Sequence, residues 1–274
     1  MLTRTPPTGQ NSLLCLSSSL DLPAMQLILL GTTGYHPSAR RHTACLMFPE
    51  IGLVLDAGTG FFRVRDWLQT AELDVFVTHA HLDHVIGLTF LFDVAHESGL
   101  QATRVHGTST HLQAVQDHLF ARPLFPAMPP LTFKPLTGPL KIGGDTSGGG
   151  TLRYFPLEHP GGSLGYRLDW PDRSLAYVTD TTARADSPYI DEIRGVDLLI
   201  HECYFPDGQE EMALKTGHSC LSPVLAVARA AAVKKLVLIH INPMAEDDDP
   251  LGLELRNDLD LPVSIAYDLQ KINF

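Results

Sequence analysis

Cysteine is scarce and scattered in this 274-residue chain: Cys15, Cys45, Cys203 and Cys220, with no Cys-x-x-Cys spacing. That excludes a disulfide framework and a thiolate zinc site, and makes a reducing compartment the simpler home. No apolar run reaches the roughly 18–20 residues of a membrane helix, so the expectation is a cytoplasmic protein with no membrane partner. Positive charge is short as well. Lys and Arg number 20 against 31 Asp and Glu, a net charge of −11, which argues against wrapping nucleic acid by bulk charge but leaves a local basic patch open. With 44% hydrophobic and 19% charged residues, the chain can build a sizeable core and does not read as disordered.

Residues 1–24 are serine-rich, with one short apolar stretch after Arg4. They make a poor signal peptide and read as a polar extension ahead of a single domain at 25–274. Met25, directly before an apolar strand, is an alternative start of translation. Short apolar runs broken by Gly and Pro predict strands at 27–30, 44–48, 52–56 and 74–78. An amphipathic stretch at 61–72, a helix from His84 to about Glu97 and another at 109–119 follow the same reading. Six prolines make 121–139 a connection, and the glycines of 143–150 a flexible turn. Strands are expected again at 151–157, 163–169, 174–179, 196–201 and 235–240, with a helix at 219–232 that places Pro223 in its first turn. The pattern predicts an α/β sandwich of two sheets faced by helices.

What is abundant is histidine, 13 residues, and the positions are not random. Thr78-His-Ala-His-Leu-Asp-His84 follows the apolar strand directly. In an extended segment His79 and His81 point the same way, whereas Asp83 and His84 turn away as the helix begins. One loop thus offers metal-capable groups in two directions, which suits two adjacent cations. His159, Asp180 and His240 each follow an apolar strand, where a rigid scaffold presents chemistry, and join the candidate ligands. Asp56, also at a strand end, is expected to hydrogen-bond the metal loop from behind. Cys203 and Cys220 read as small buried residues.

His79-x-His81-x-Asp83-His84 with His159, Asp180 and His240 resembles the metallo-β-lactamase superfamily. Within it, the chain is similar to the ribonuclease Z and cyclic-phosphodiesterase branch. Leu30-Gly-Thr-Thr-Gly34, Leu55-Asp-Ala-Gly58, Leu198-Leu-Ile-His-Glu-Cys-Tyr-Phe205, Gly217-His-Ser219 and Ala266-Tyr-Asp268 carry that likeness. The resemblance implies an αββα four-layer sandwich and a dinuclear site holding two divalent metal ions, zinc by default, with manganese or iron as alternatives. It assigns His79, His81 and His159 to one ion, and Asp83, His84 and His240 to the other, with Asp180 bridging. It makes Asp83, His218 and Glu202 catalytic, His218 as a proton donor or electrophile oriented by Glu202, with His201 supporting from behind. It also implies a homodimer.

Three features depart from ribonuclease Z. Only 21 positions separate His159 from Asp180, where that branch carries a tRNA-clamping arm. His240 is followed by Ile-Asn-Pro-Met rather than an arginine-containing ending, and the run Glu246-Asp-Asp-Asp249 would repel a polyanion if it faced the site. These favour hydrolysis of a small or cyclic phosphodiester, with Arg40, Arg41 and Arg104 as candidate phosphate contacts. RNA processing of the ribonuclease Z kind is the alternative. Hydrolysis of a lactone, thioester or lactam, and a binding role without turnover, complete the set.

Overall fold

The computed structural model describes residues 25–144, 149–245 and 247–273. The N-terminal extension at 1–24 and part of the glycine-rich turn lie outside them. Fourteen strands follow in chain order: β1 (Gln26–Gly31), β2 (Cys45–Phe48), β3 (Leu53–Leu55), β4 (Glu72–Phe76), β5 (Ala102–Gly107), β6 (Thr132–Pro135), β7 (Leu140–Ile142), β8 (Gly150–Leu157), β9 (Ser163–Asp169), β10 (Ser174–Val178), β11 (Leu198–Glu202), β12 (Leu236–Ile239), β13 (Val263–Ile265) and β14 (Gln270–Asn273).

They form two seven-stranded sheets, ordered β14-β1-β2-β3-β4-β5-β6 and β13-β12-β11-β10-β9-β8-β7. Each sheet has an antiparallel half and a parallel half; β3 to β6 run parallel in the first, β10 to β13 in the second. The last strand, β14, returns to pair antiparallel with β1.

Side-chain alternation builds the layers. Leu27 and Leu29 of β1 face the other sheet and meet Leu198 and Ile200 of β11, whereas Ile28 and Leu30 face helices on the outside. In β12, Val237 and Ile239 point inward, and Leu236 and Leu238 pack outward with Val224 and Leu225. Both faces of the central strands are buried, which is why they read as continuous apolar runs. The order of layers is helices, sheet, sheet, helices, as the sequence predicts.

Several elements differ from expectation. The 61–72 stretch is a 3-10 turn over Thr59–Asp66, followed by strand β4 from Glu72. The helix after His84 starts earlier, as α1 (Leu82–Val85), and continues through a 3-10 segment into α2 (Leu91–Ser98). At 109–119, α3 (Ser109–Ala114) widens into a π-helical turn. An extra helix, α4 (Glu210–Thr216), precedes α5 (Leu221–Ala230). The proline-rich connection contains β6, an edge strand, where proline is tolerated.

Candidate metal centre

The loop after β4, the turn after β8 and the carboxyl ends of β10 and β12 converge at one rim of the sandwich. Clefts beyond the carboxyl ends of parallel strands are where open α/β sheets present their chemistry. Asp56 and His240, immediately past a strand, and Asp180, two residues past β10, have φ of 59°, 59° and 53°, left-handed values that turn the chain sharply. Asp and His tolerate this region better than most residues, and such strain gathers at functional sites.

The seven residues singled out by the sequence come together. One donor atom each from His79, His81, His159 and Asp180 lies within 4.8 Å of the others, as does a second set from Asp83, His84 and His240. Asp180 divides its carboxylate between them: Oδ1 is 3.8 Å from His79 Nε2 and 3.6 Å from His159 Nε2, and Oδ2 is 3.0 Å from His84 Nε2 and 3.3 Å from His240 Nε2. Asp83 Oδ2 sits 3.4 Å from both His84 Nε2 and His240 Nε2. A tetrahedron with its centre about 2.0–2.1 Å from N or O donors has edges of comparable length.

Partners behind the rings fix which nitrogen faces inward. His84 Nδ1 donates to Asp56 Oδ2 at 2.8 Å, and His159 Nδ1 to the Gly217 carbonyl at 3.0 Å. His79 Nδ1 meets Thr78 Oγ1 at 3.0 Å, and that hydroxyl in turn donates to Asp56. Asp56 is fully buried and also accepts from the Thr78 N–H (2.7 Å) and Tyr177 Oη (2.9 Å). Two glycines permit the close approach. A Cβ at Gly34 would run into the His240 ring, and one at Gly217, where φ is 75°, would crowd His159 and Pro160.

The electrostatics suit a cation. Burial, then the nearby His84, drives His79 well below its ordinary range, leaving a neutral ring, while its buried Nε2 has no hydrogen-bond partner. Burial opposes ionisation of Asp83 and Asp180, but the surrounding imidazoles outweigh it and keep both carboxylates charged. His84 is pushed the other way: burial disfavours its charge, and Asp180, Asp56 and Asp83 more than offset this and raise it strongly. A neutral His79 ring, ionised carboxylates and an orphaned buried nitrogen are donors that a divalent cation completes, and such a cation would take over from the His84 proton that otherwise balances the carboxylates.

Beside this centre, His218 Nδ1 lies 3.3 Å from Glu202 Oε1. Glu202 is fully buried and held by the Thr181 N–H at 2.8 Å and the Ser219 N–H at 3.3 Å. Burial works against the charged His218 ring, but Glu202, Asp180 and Asp83 push its pKa up to about 9. His201 stands behind, buried, bonded to Tyr189 Oη and to the Glu202 carbonyl. Cys203 and Cys220 are buried, as expected.

Three expected phosphate contacts are engaged elsewhere. Arg104 makes two hydrogen bonds to Asp74, in the middle of the strand that leads into the metal loop, and Arg41 bonds Thr32 and the Ala266 carbonyl. Arg40 pairs with Asp248 of the acidic run, whose Asp249 caps the backbone N–H groups of Leu253 and Glu254. Tyr204, stacked on His218 at 4.8 Å and 16°, was not singled out by the sequence, although it lies two residues past Glu202.

A family model for the beta-lactamase superfamily domain matches residues 53–241, from β3 to just past His240. The chain belongs to that superfamily. Among curated relatives, ribonuclease Z of Metallosphaera sedula is 27% identical, over 85% of this chain and 93% of its own length. Among solved structures, the metallo-beta-lactamase fold protein YhfI of Bacillus subtilis superposes with a TM-score of 0.74 at 20% identity, covering 92% of this chain and all of that one. A diphosphatase of the PhnP family follows at TM-score 0.66 and 16% identity, covering 92% and 97%. Family and donor set together make this superfamily member a metal-dependent hydrolase.

Proposed function

We propose that this hydrolase is a phosphodiesterase with two divalent cations at its centre, acting on a small or cyclic phosphodiester. The observation that carries the reading is the split carboxylate of Asp180 between two donor sets, with the His218–Glu202 pair alongside. His79, His81 and His159 would hold one cation, Asp83, His84 and His240 the other. Imidazole and carboxylate donors make zinc the first choice, ahead of manganese or iron. When bound, such cations polarise a phosphoryl oxygen and make water a nucleophile near neutral pH. Asp83 orients the nucleophile and takes up its proton. His218, with Nδ1 engaged by Glu202, carries a proton on its other nitrogen for the departing oxygen.

Two observations support a small substrate. β9 and β10 form a plain antiparallel pair where a clamping arm would be inserted, and the expected arginines are already engaged, Arg40 by Asp248, Arg41 by the Ala266 carbonyl and Arg104 by Asp74. One observation favours a second reading, processing of tRNA 3′ ends: the full-length match to a protein named ribonuclease Z.

The test is hydrolysis of bis-p-nitrophenyl phosphate by metal-reconstituted protein, beside Asp83→Ala and His218→Ala. Turnover lost in both variants supports the phosphodiesterase reading, and a comparison of cyclic nucleotides, cyclic ribose phosphates and a precursor tRNA then separates the two substrates. Two bound ions without turnover on any phosphodiester overturns it.

A further inference from the structure

A third donor set overlaps the two that divide Asp180. One donor atom of His218 lies within 4.8 Å of donor atoms of both Asp180 and His240, close enough for all three to share a cation. His218 is also the proton donor of the proposed reaction. The two uses exclude each other, because a ring turned onto a cation spends there the nitrogen it needs for the departing oxygen. His218 must therefore be held off the cations.

Glu202 does this only in part. It fixes a single atom, Nδ1 at 3.3 Å from Oε1, and an imidazole held at one corner can still pivot about it. Tyr204 supplies the missing restraint. Its ring lies flat on His218, with centroids 4.8 Å apart and planes 16° from parallel, and it also meets the His240 ring at 5.9 Å. A stack of this kind fixes the plane of the imidazole, which one hydrogen bond does not, and pivoting His218 breaks the parallel contact.

The backbone keeps Tyr204 in place. Its N–H and that of Phe205 both donate to the Ser219 carbonyl, at 3.1 and 3.2 Å, and Phe205 pairs with Cys220 in a parallel bridge. The stretch that carries the tyrosine is thus stitched to the residues just after His218. The Tyr204 ring, half-buried, also rests edge-on against Phe205 at 4.9 Å.

We propose that Tyr204 is a positioning residue that keeps His218 out of the metal coordination sphere and leaves its nitrogen available to the substrate. This rests on the reading of His218 as proton donor and deepens it. Were Tyr204 only filling space, leucine would serve as well.

The test loads the protein with Co2+, whose visible absorption changes with the number and kind of its ligands. Tyr204→Leu should gain a nitrogen donor, seen as weaker, shifted bands, and should bind Co2+ about 2- to 10-fold more tightly, the weight of one aromatic pair. Tyr204→Phe should keep the spectrum of the unmodified chain. Adding His218→Ala to Tyr204→Leu should restore that spectrum. Tyr204→Ala serves if the leucine variant fails to fold. The proposal is overturned by an unchanged spectrum in Tyr204→Leu, by a change that persists in the double variant, or by a change as large in Tyr204→Phe. A nitrogen donor lost on His218→Ala by itself also overturns it, since His218 would then be a ligand already. Turnover of bis-p-nitrophenyl phosphate should fall in Tyr204→Leu. Absence of turnover on every phosphodiester by the unmodified chain would sink the phosphodiesterase reading, while the Co2+ spectra still decide what holds His218.

Discussion

Asp56 receives the Nδ1 proton of His84 at 2.8 Å, with both side chains fully buried. The carboxylate does three things at once: it fixes the inward nitrogen of His84, receives the Thr78 hydroxyl that backs His79, and closes the Tyr177 hydroxyl. Asp56→Asn keeps the shape but replaces an acceptor with a donor. Metal affinity should fall about 10- to 100-fold, read by competition with a chromophoric chelator. Stability of the metal-free protein should fall by about 1–3 kcal/mol, because buried donors lose their acceptor. Unchanged affinity would show that His84 holds its orientation without Asp56.

Metal removal should destabilise the fold. Asp56, Asp83 and Asp180 cluster at the centre, and without a cation the surrounding imidazoles, His84 among them, are what answers their charge. A cation present at about 1,000 times its dissociation constant adds about 4 kcal/mol. For a domain of this size that is a shift of roughly 8–16 °C in Tm. Scanning calorimetry with and without a chelator measures it. Equal Tm values would mean that the centre does not bind the added metal.

The centre was legible because its chemistry interrupts apolar strands. His79 to His84, His159, Asp180 and His240 all stand where a buried run ends, and periodicity locates those ends to within a residue or two. Arg41 and Arg104 misled, because their partners are distant in the chain: the carbonyl of Ala266 for one, and Asp74 on the adjacent strand for the other. The 61–72 region failed for the same reason. Arg63 ties its 3-10 turn to the Leu30 carbonyl and to Asp268, a constraint no local pattern carries. Helix α4 had signals that went unread: Glu210 and Glu211 in its first turn, Lys215 in its last, and Gly217 closing it at φ 75°.

Acid should loosen the molecule away from the centre. Burial opposes ionisation of Asp74, yet Arg104 and His106 bond it and lower its pKa to about 2. A carboxylate depressed in the fold contributes stability that is present above the unfolded value near 4 and is lost as pH falls from there through about 2. Urea midpoints measured between pH 5 and pH 2 should therefore fall, and Asp74→Asn should flatten the fall while lowering stability at pH 7. An unaltered slope in the variant would assign acid sensitivity to other carboxylates.

His218 and Glu202 should act as one unit. In the proposed mechanism His218 would supply the proton, and Glu202, braced by the Thr181 and Ser219 N–H groups, its orientation and charge. Loss of a general acid costs about 10²- to 10⁴-fold in kcat, so His218→Ala should fall in that range with bound metal per chain unchanged. Glu202→Gln keeps an acceptor for one N–H and should cost less. If Glu202 works only through His218, the double variant should be no slower than His218→Ala by itself. Additive losses would place Glu202 in a separate role, and a drop in metal content for His218→Ala would make His218 a ligand, consistent with the approach of its donor atom to within 4.8 Å of Asp180 and His240.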